Sequence, residues 1–126
     1  MFISILFLIF SFTQQDDWKT YHEDNNVKIS FKSHLCKDLK NGFSFEYYLI
    51  KVQNKTNETF VINFYKGIEE DEEQKIAFVL NPNEVRVGRC EYDPVKLRIF
   101  KSNYSQKSIR QVDKFNLTKV NVIKVN

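Results

Sequence analysis

Apolar and polar residues alternate with a period of two along most of this chain, the pattern of strands that bury one face in a core. Val27, Ile29 and Phe31 alternate with Lys28, Ser30 and Lys32. In Phe43 to Val52 both phases are apolar, with Phe45, Tyr47 and Leu49 on one face and Tyr48, Ile50 and Val52 on the other. Such a strand belongs at the centre of a sheet. The polar stretch Asn54 to Thr59 separates it from the apolar run Phe60 to Tyr65, so these two strands are expected to form a hairpin. Ile76 to Leu80 ends at Asn81-Pro82-Asn83, a turn signal, after which Val85 and Val87 resume the alternation. Val95, Leu97 and Ile99 oppose Lys96 and Arg98. Leu117 to Val125 supplies a last strand, whose apolar phase shifts between Val122 and Ile123 as a bulge there would produce.

Short strands separated by turns predict an all-β fold, a small antiparallel β-sandwich of seven to eight strands, Ig-like in general architecture. A small β-barrel is the alternative, because strand number alone does not separate the two. The best helical stretch, Ser105 to Val112, has too little apolar surface for more than a turn or two. Twelve Phe, six Tyr and one Trp provide core bulk, and with Val and Ile they favour strands. Three Gly and two Pro leave no flexible linker between modules, so one domain is expected.

The opening segment changes this picture. Met1 to Phe12 is a run of Phe, Ile and Leu that gives way to Gln14-Gln15-Asp16-Asp17. That length fits the core of an export signal and falls short of the roughly 20 residues that span a bilayer. Residues 1–13 are therefore expected to be a signal peptide and 14–126 the single domain. The mature protein would be periplasmic or extracellular and not integral to a membrane.

Export gives the two cysteines a meaning, since a disulfide between Cys36 and Cys90 is the expected use of such a pair in an oxidising compartment. Closing the chain between them would remove about 4 kcal/mol of denatured-state entropy. A Cys–His nucleophile pair is a weaker reading, because His22 and His34 stand in no characteristic relation to either cysteine. The two histidines also lack ligand spacing, so no metal and no cofactor is expected. Asn54-Lys55-Thr56, Asn57-Glu58-Thr59, Asn103-Tyr104-Ser105 and Asn116-Leu117-Thr118 match the N-glycosylation pattern. In a chain this rich in asparagine, composition and turn chemistry account for them.

The net charge is +3, but residues 1–84 carry nine basic and thirteen acidic side chains while residues 85–126 carry ten and three. Arg86, Arg89, Lys96, Arg98, Lys101, Lys107, Arg110 and Lys114 are thus candidates for an anion-binding patch. The opposing reading is that Arg86, Lys96 and Arg98 occupy the solvated phase of their strands. The acidic run Glu69 to Glu73 lacks the interleaved Gly and Asn of a calcium loop and reads as a solvated hairpin tip. No Gly-rich phosphate loop, Gly-x-Ser-x-Gly elbow or His-Glu-x-x-His helix occurs.

The stretches Tyr47 to Asn57 (YYLIKVQNKTN), FVINF, Gly88-Arg89-Cys90, Leu97-Arg98-Ile99-Phe100 and Leu117-Thr118-Lys119 resemble small exported proteins of unknown function from Flavobacteria and other Bacteroidetes. The resemblance implies a periplasmic or surface β domain and no particular activity. The expectation is a non-enzymatic binding module for an envelope or extracellular partner, protein or glycan, and not for nucleic acid. Trp18, Tyr21, Tyr92 and Tyr104, at segment ends and loops, are its candidate anchors. The alternatives are a thiol-dependent enzyme, and a structural protein that pairs through the edge strand Leu117 to Val125. Oligomeric state is left open by the sequence.

Overall fold

The computed structural model describes residues 17–103 and 114–126. The export segment, the helical stretch Ser105 to Val112, and the candidates Tyr104, Lys107 and Arg110 lie outside the described residues. Eight strands form two antiparallel sheets, as the alternation predicts, and they do not close into a barrel. They are β1 (Lys19–Glu23), β2 (Val27–Asp38), β3 (Phe43–Asn54), β4 (Phe60–Lys66), β5 (Lys75–Leu80), β6 (Val85–Val87), β7 (Arg98–Asn103) and β8 (Leu117–Lys124). The larger sheet runs β1-β2-β3, with β6 and β7 sharing the far edge of β3; the smaller runs β5-β4-β8.

The core lies where inward phases meet. Val27 and Ile29 of β2 and Tyr48, Ile50 and Val52 of β3 pack against Phe60, Ile62 and Phe64 of β4 and Ile76, Phe78 and Leu80 of β5. The doubly apolar β3 is central, as its pattern requires, flanked by β2 on one edge and by β6 and β7 on the other. Its second apolar phase forms an aromatic strip on the outer face, where Phe45 and Tyr47 lie 6.3 and 5.8 Å from the Phe100 ring.

The expected hairpin between β3 and β4 does not form. The two strands belong to different sheets, and residues 55–59 carry the chain from one to the other. Asn54, 1% exposed, explains the crossing. Its Nδ2 donates to the carbonyls of Glu58 and Asn81 at 2.6 and 2.9 Å, and its Oδ1 accepts from the Thr56 amide and hydroxyl, both at 2.9 Å. Asn54 of the Asn54-Lys55-Thr56 tripeptide is therefore a buried structural pin, with its amide nitrogen committed inside the protein. The Asn81-Pro82-Asn83 turn likewise joins β5 to β6 across the sheets.

Three local features depart from the alternation. β1 was not legible, since Tyr21 is its only apolar residue. The bulge in β8 falls opposite Asn63 to Tyr65, where Lys119 has φ 50°, rather than at Val122 and Ile123. Val85 and Val87 face outward, 45% and 47% exposed, while Arg86 turns toward the sandwich edge over the Phe78 ring at 5.7 Å.

The β1–β2 turn is held by Asp24, whose carboxylate accepts the Val27 and Asn26 amides at 2.8 and 2.7 Å and faces His22 Nε2 at 2.9 Å. The Val27 amide, followed by His22, lowers its pKa from 3.8 to about 2. The folded value lies below the unfolded one, so this contribution is complete above pH 3.8 and is lost as pH falls through about 2. Asp24→Asn is expected to flatten stability against pH within that window, measured by urea unfolding at stepped pH. Parallel curves for the two proteins would disprove it.

Candidate functional site

Strand length creates the site. β2 and β3 have 12 residues each, whereas β4 has 7 and β5 has 6. At about 3.3 Å per residue the larger sheet is about 40 Å long against about 23 Å, so its inner face overhangs the smaller sheet. Under the overhang opens a cleft of about 580 Å³, lined by Asp17, Lys19, Phe31, Lys32, Ser33, Tyr48, Lys101, Lys114 and Phe115.

An aromatic cluster forms its floor. Phe115 stacks on Phe31 at 4.2 Å and meets the rings of Tyr48 and Tyr21 edge-on at 5.7 and 5.1 Å. Tyr48 and Phe115 are nearly buried, whereas Phe31 keeps partial exposure. Three lysines, Lys19, Lys101 and Lys114, rim the floor. Lys101 reaches Glu46 at 2.7 Å and the Ser33 hydroxyl at 3.1 Å, and its ammonium sits 5.0 Å from the Tyr48 ring centroid. Lys32, in the opposite phase of β2 from Phe31, turns its ammonium to the outer face, 4.8 Å from the Trp18 ring, which Lys51 also approaches at 5.0 Å. Lys19 and Lys114 are exposed and have no carboxylate partner among the described residues. Among the described residues Asp17 is the only acidic one in the lining, so they give the cleft an excess of positive charge over an apolar floor.

The structure distributes the other candidates unevenly. Lys101 and Lys114 come together in this cleft. Arg86 and Arg89 line a separate hollow of about 400 Å³ with Glu84 and Asp93, and Arg86 approaches Glu84 at 3.4 Å. Arg98 is on the outer face, 4.8 Å from the Tyr47 ring, and donates to the Cys90 carbonyl at 2.7 Å. Lys96 is exposed, with φ 55°. Its carbonyl and that of Arg98 accept from Lys66 Nζ at 3.2 and 2.9 Å. Burial, then the Lys96 and Arg98 charges, lower the Lys66 pKa to about 8.

Among the aromatic candidates, Trp18 lies on the outer face of the larger sheet, between Lys32 and Lys51. Tyr21 ties the sheets together, its hydroxyl donating to Asn116 Oδ1 at 2.9 Å and accepting the Leu117 amide at 3.2 Å. Tyr92 is 76% exposed in the loop between β6 and β7. That loop is fixed by the Cys36–Cys90 disulfide, with Cα atoms 5.5 Å apart. Because Cys36 is on β2 and Cys90 follows β6, the bridge spans β3 on its outer face. Both sulfurs are engaged, and His34, two residues from Cys36, is exposed on the same face.

In the acidic run, Asp71 caps the short 3-10 turn Glu72–Gln74, Glu72 accepts from the Tyr65 hydroxyl at 2.9 Å, and Glu70 meets Lys119 at 2.8 Å. Among the described residues no three His, Cys, Asp or Glu gather as metal ligands. Sequence reasoning missed Lys19, Phe31 and Phe115 as site residues, because the alternation that places Phe31 on the inner face does not reveal what crosses above it. No family model, curated protein or solved structure matches the chain.

Proposed function

We propose that this protein is an exported binding module, a disulfide-stapled β-sandwich that retains an envelope or extracellular component and carries out no chemistry on it. The observation that carries this reading is the concave, lysine-rimmed aromatic cleft beneath the overhanging sheet, where Lys19 and Lys114, without carboxylate partners among the described residues, stand beside apolar surface. The Cys36–Cys90 bridge supports export, because such bonds persist in oxidising compartments. A thiol-enzyme reading would require that bridge to be reduced first.

The test is retention of oxidised protein on an array of neutral and acidic glycans and on purified envelope polysaccharides, against a reduced, denatured control. Retention above the control is expected; its absence on every surface would overturn the reading. A second reading, assembly through an edge strand, draws on β8, which is an edge of the smaller sheet and exposes Ile123 and Val125. Its sign is concentration-dependent oligomers in light scattering.

A further inference from the structure

We infer that the cleft binds an acidic saccharide, a sugar chain bearing carboxylate or sulfate groups; this rests on the binding-module reading and specifies its ligand. The lining offers three kinds of partner at once. Lys19 and Lys114 present ammonium groups with no carboxylate partner among the described residues. Phe31, partly exposed, offers apolar ring surface to the C–H face of a pyranose, and Asp17 is an acceptor for hydroxyl donors. A bare anion would gain from the lysines but be opposed by Asp17, whereas a hydroxylated anion uses both. The volume of about 580 Å³ suits a ligand of a few sugar rings.

Two other polyanions fit less well. Single-stranded nucleic acid needs open aromatic faces for its bases, and Tyr48 and Phe115 are only 5% and 4% exposed. A membrane surface would favour exposed apolar side chains among the cations, and no large exposed apolar residue lines the cleft.

Calorimetric titration of the oxidised protein with tetragalacturonate and with a sulfated tetrasaccharide is expected to show saturable binding of at least one of them. Binding should weaken as salt rises. Lys114→Gln should lower the affinity about two- to fivefold, as loss of one exposed ion pair does, and Lys19→Gln/Lys114→Gln about tenfold or more. Maltotetraose and inorganic sulfate should each bind at least about tenfold more weakly.

Lys19 and Lys114 are both exposed, so these variants test the site without touching the core. Neither acidic saccharide binding, equal binding of maltotetraose or sulfate, or an affinity that the double variant leaves unchanged would each overturn the inference. Glycan-array retention that survives the double variant would do so while leaving the binding-module reading intact.

Discussion

Replacing both bridge cysteines, Cys36→Ala with Cys90→Ala, is expected to lower stability by about 4 kcal/mol, the chain-entropy value for a loop of this size. The two residues are 54 apart in sequence, so the bridge withholds many extended conformations from the denatured chain. A loss of that size is a large part of the roughly 5–15 kcal/mol available to a domain. In urea the midpoint should fall and the slope should rise, since the unbridged denatured chain exposes more surface. Locally, the residues that follow Gly88 lose their anchor over β3. An unchanged midpoint would show that the bridge contributes nothing to folding.

Gly88→Ala is expected to cost about 3 kcal/mol, toward the upper end of overpacking penalties. β6 and β7 both pair with β3, and between them the chain makes an excursion whose two ends meet opposite Ile50. The Gly88 amide donates to the Ile50 carbonyl at 2.7 Å, and the Ile50 amide donates to the Leu97 carbonyl at 2.9 Å. A Cβ at Gly88 would overlap the Leu97 carbonyl oxygen and come within 2.9 Å of its carbon. Backbone, not a yielding side chain, blocks it. Gly42 and Gly67 provide the comparison, with φ of 72° and 97° and open space around each. Alanine there meets only the conformational penalty, about 1 kcal/mol. Hydrogen exchange of the Ile50 amide should accelerate in the Gly88 variant alone; equal losses at all three glycines would contradict this account.

The same junction shows where strand patterning stops being informative. Val95, Leu97 and Ile99 alternate as one strand would, yet β7 begins only at Arg98, after Lys96 takes a positive φ. Leu97 is buried at the end of the excursion, so its apolar character marks a core position without marking a strand. Arg86 and Arg98 show the related limit for charge. Both are in a polar phase, but one turns toward the sandwich edge over Phe78 and the other lies on the outer face over Tyr47. A shared patch cannot be inferred from shared phase.

By itself the sequence determined that this is an all-β chain and that Phe43 to Val52 is central, and it made Cys36 with Cys90 the expected pair in an oxidising compartment. These follow from local physics: alternation fixes which side chains share a face, and two apolar phases require cover on both sides; the structure shows the bridge formed. Only the tertiary structure decided that β3 and β4 part into separate sheets, because alternation specifies a buried face without specifying which sheet buries it. The discriminating contact, Asn54 with the Asn81 carbonyl, joins segments 27 residues apart in the chain. The cleft was hidden for the same reason. Its lining comes from Asp17 at one end of the described chain to Phe115 near the other, and it exists because two sheets of unequal strand length are stacked.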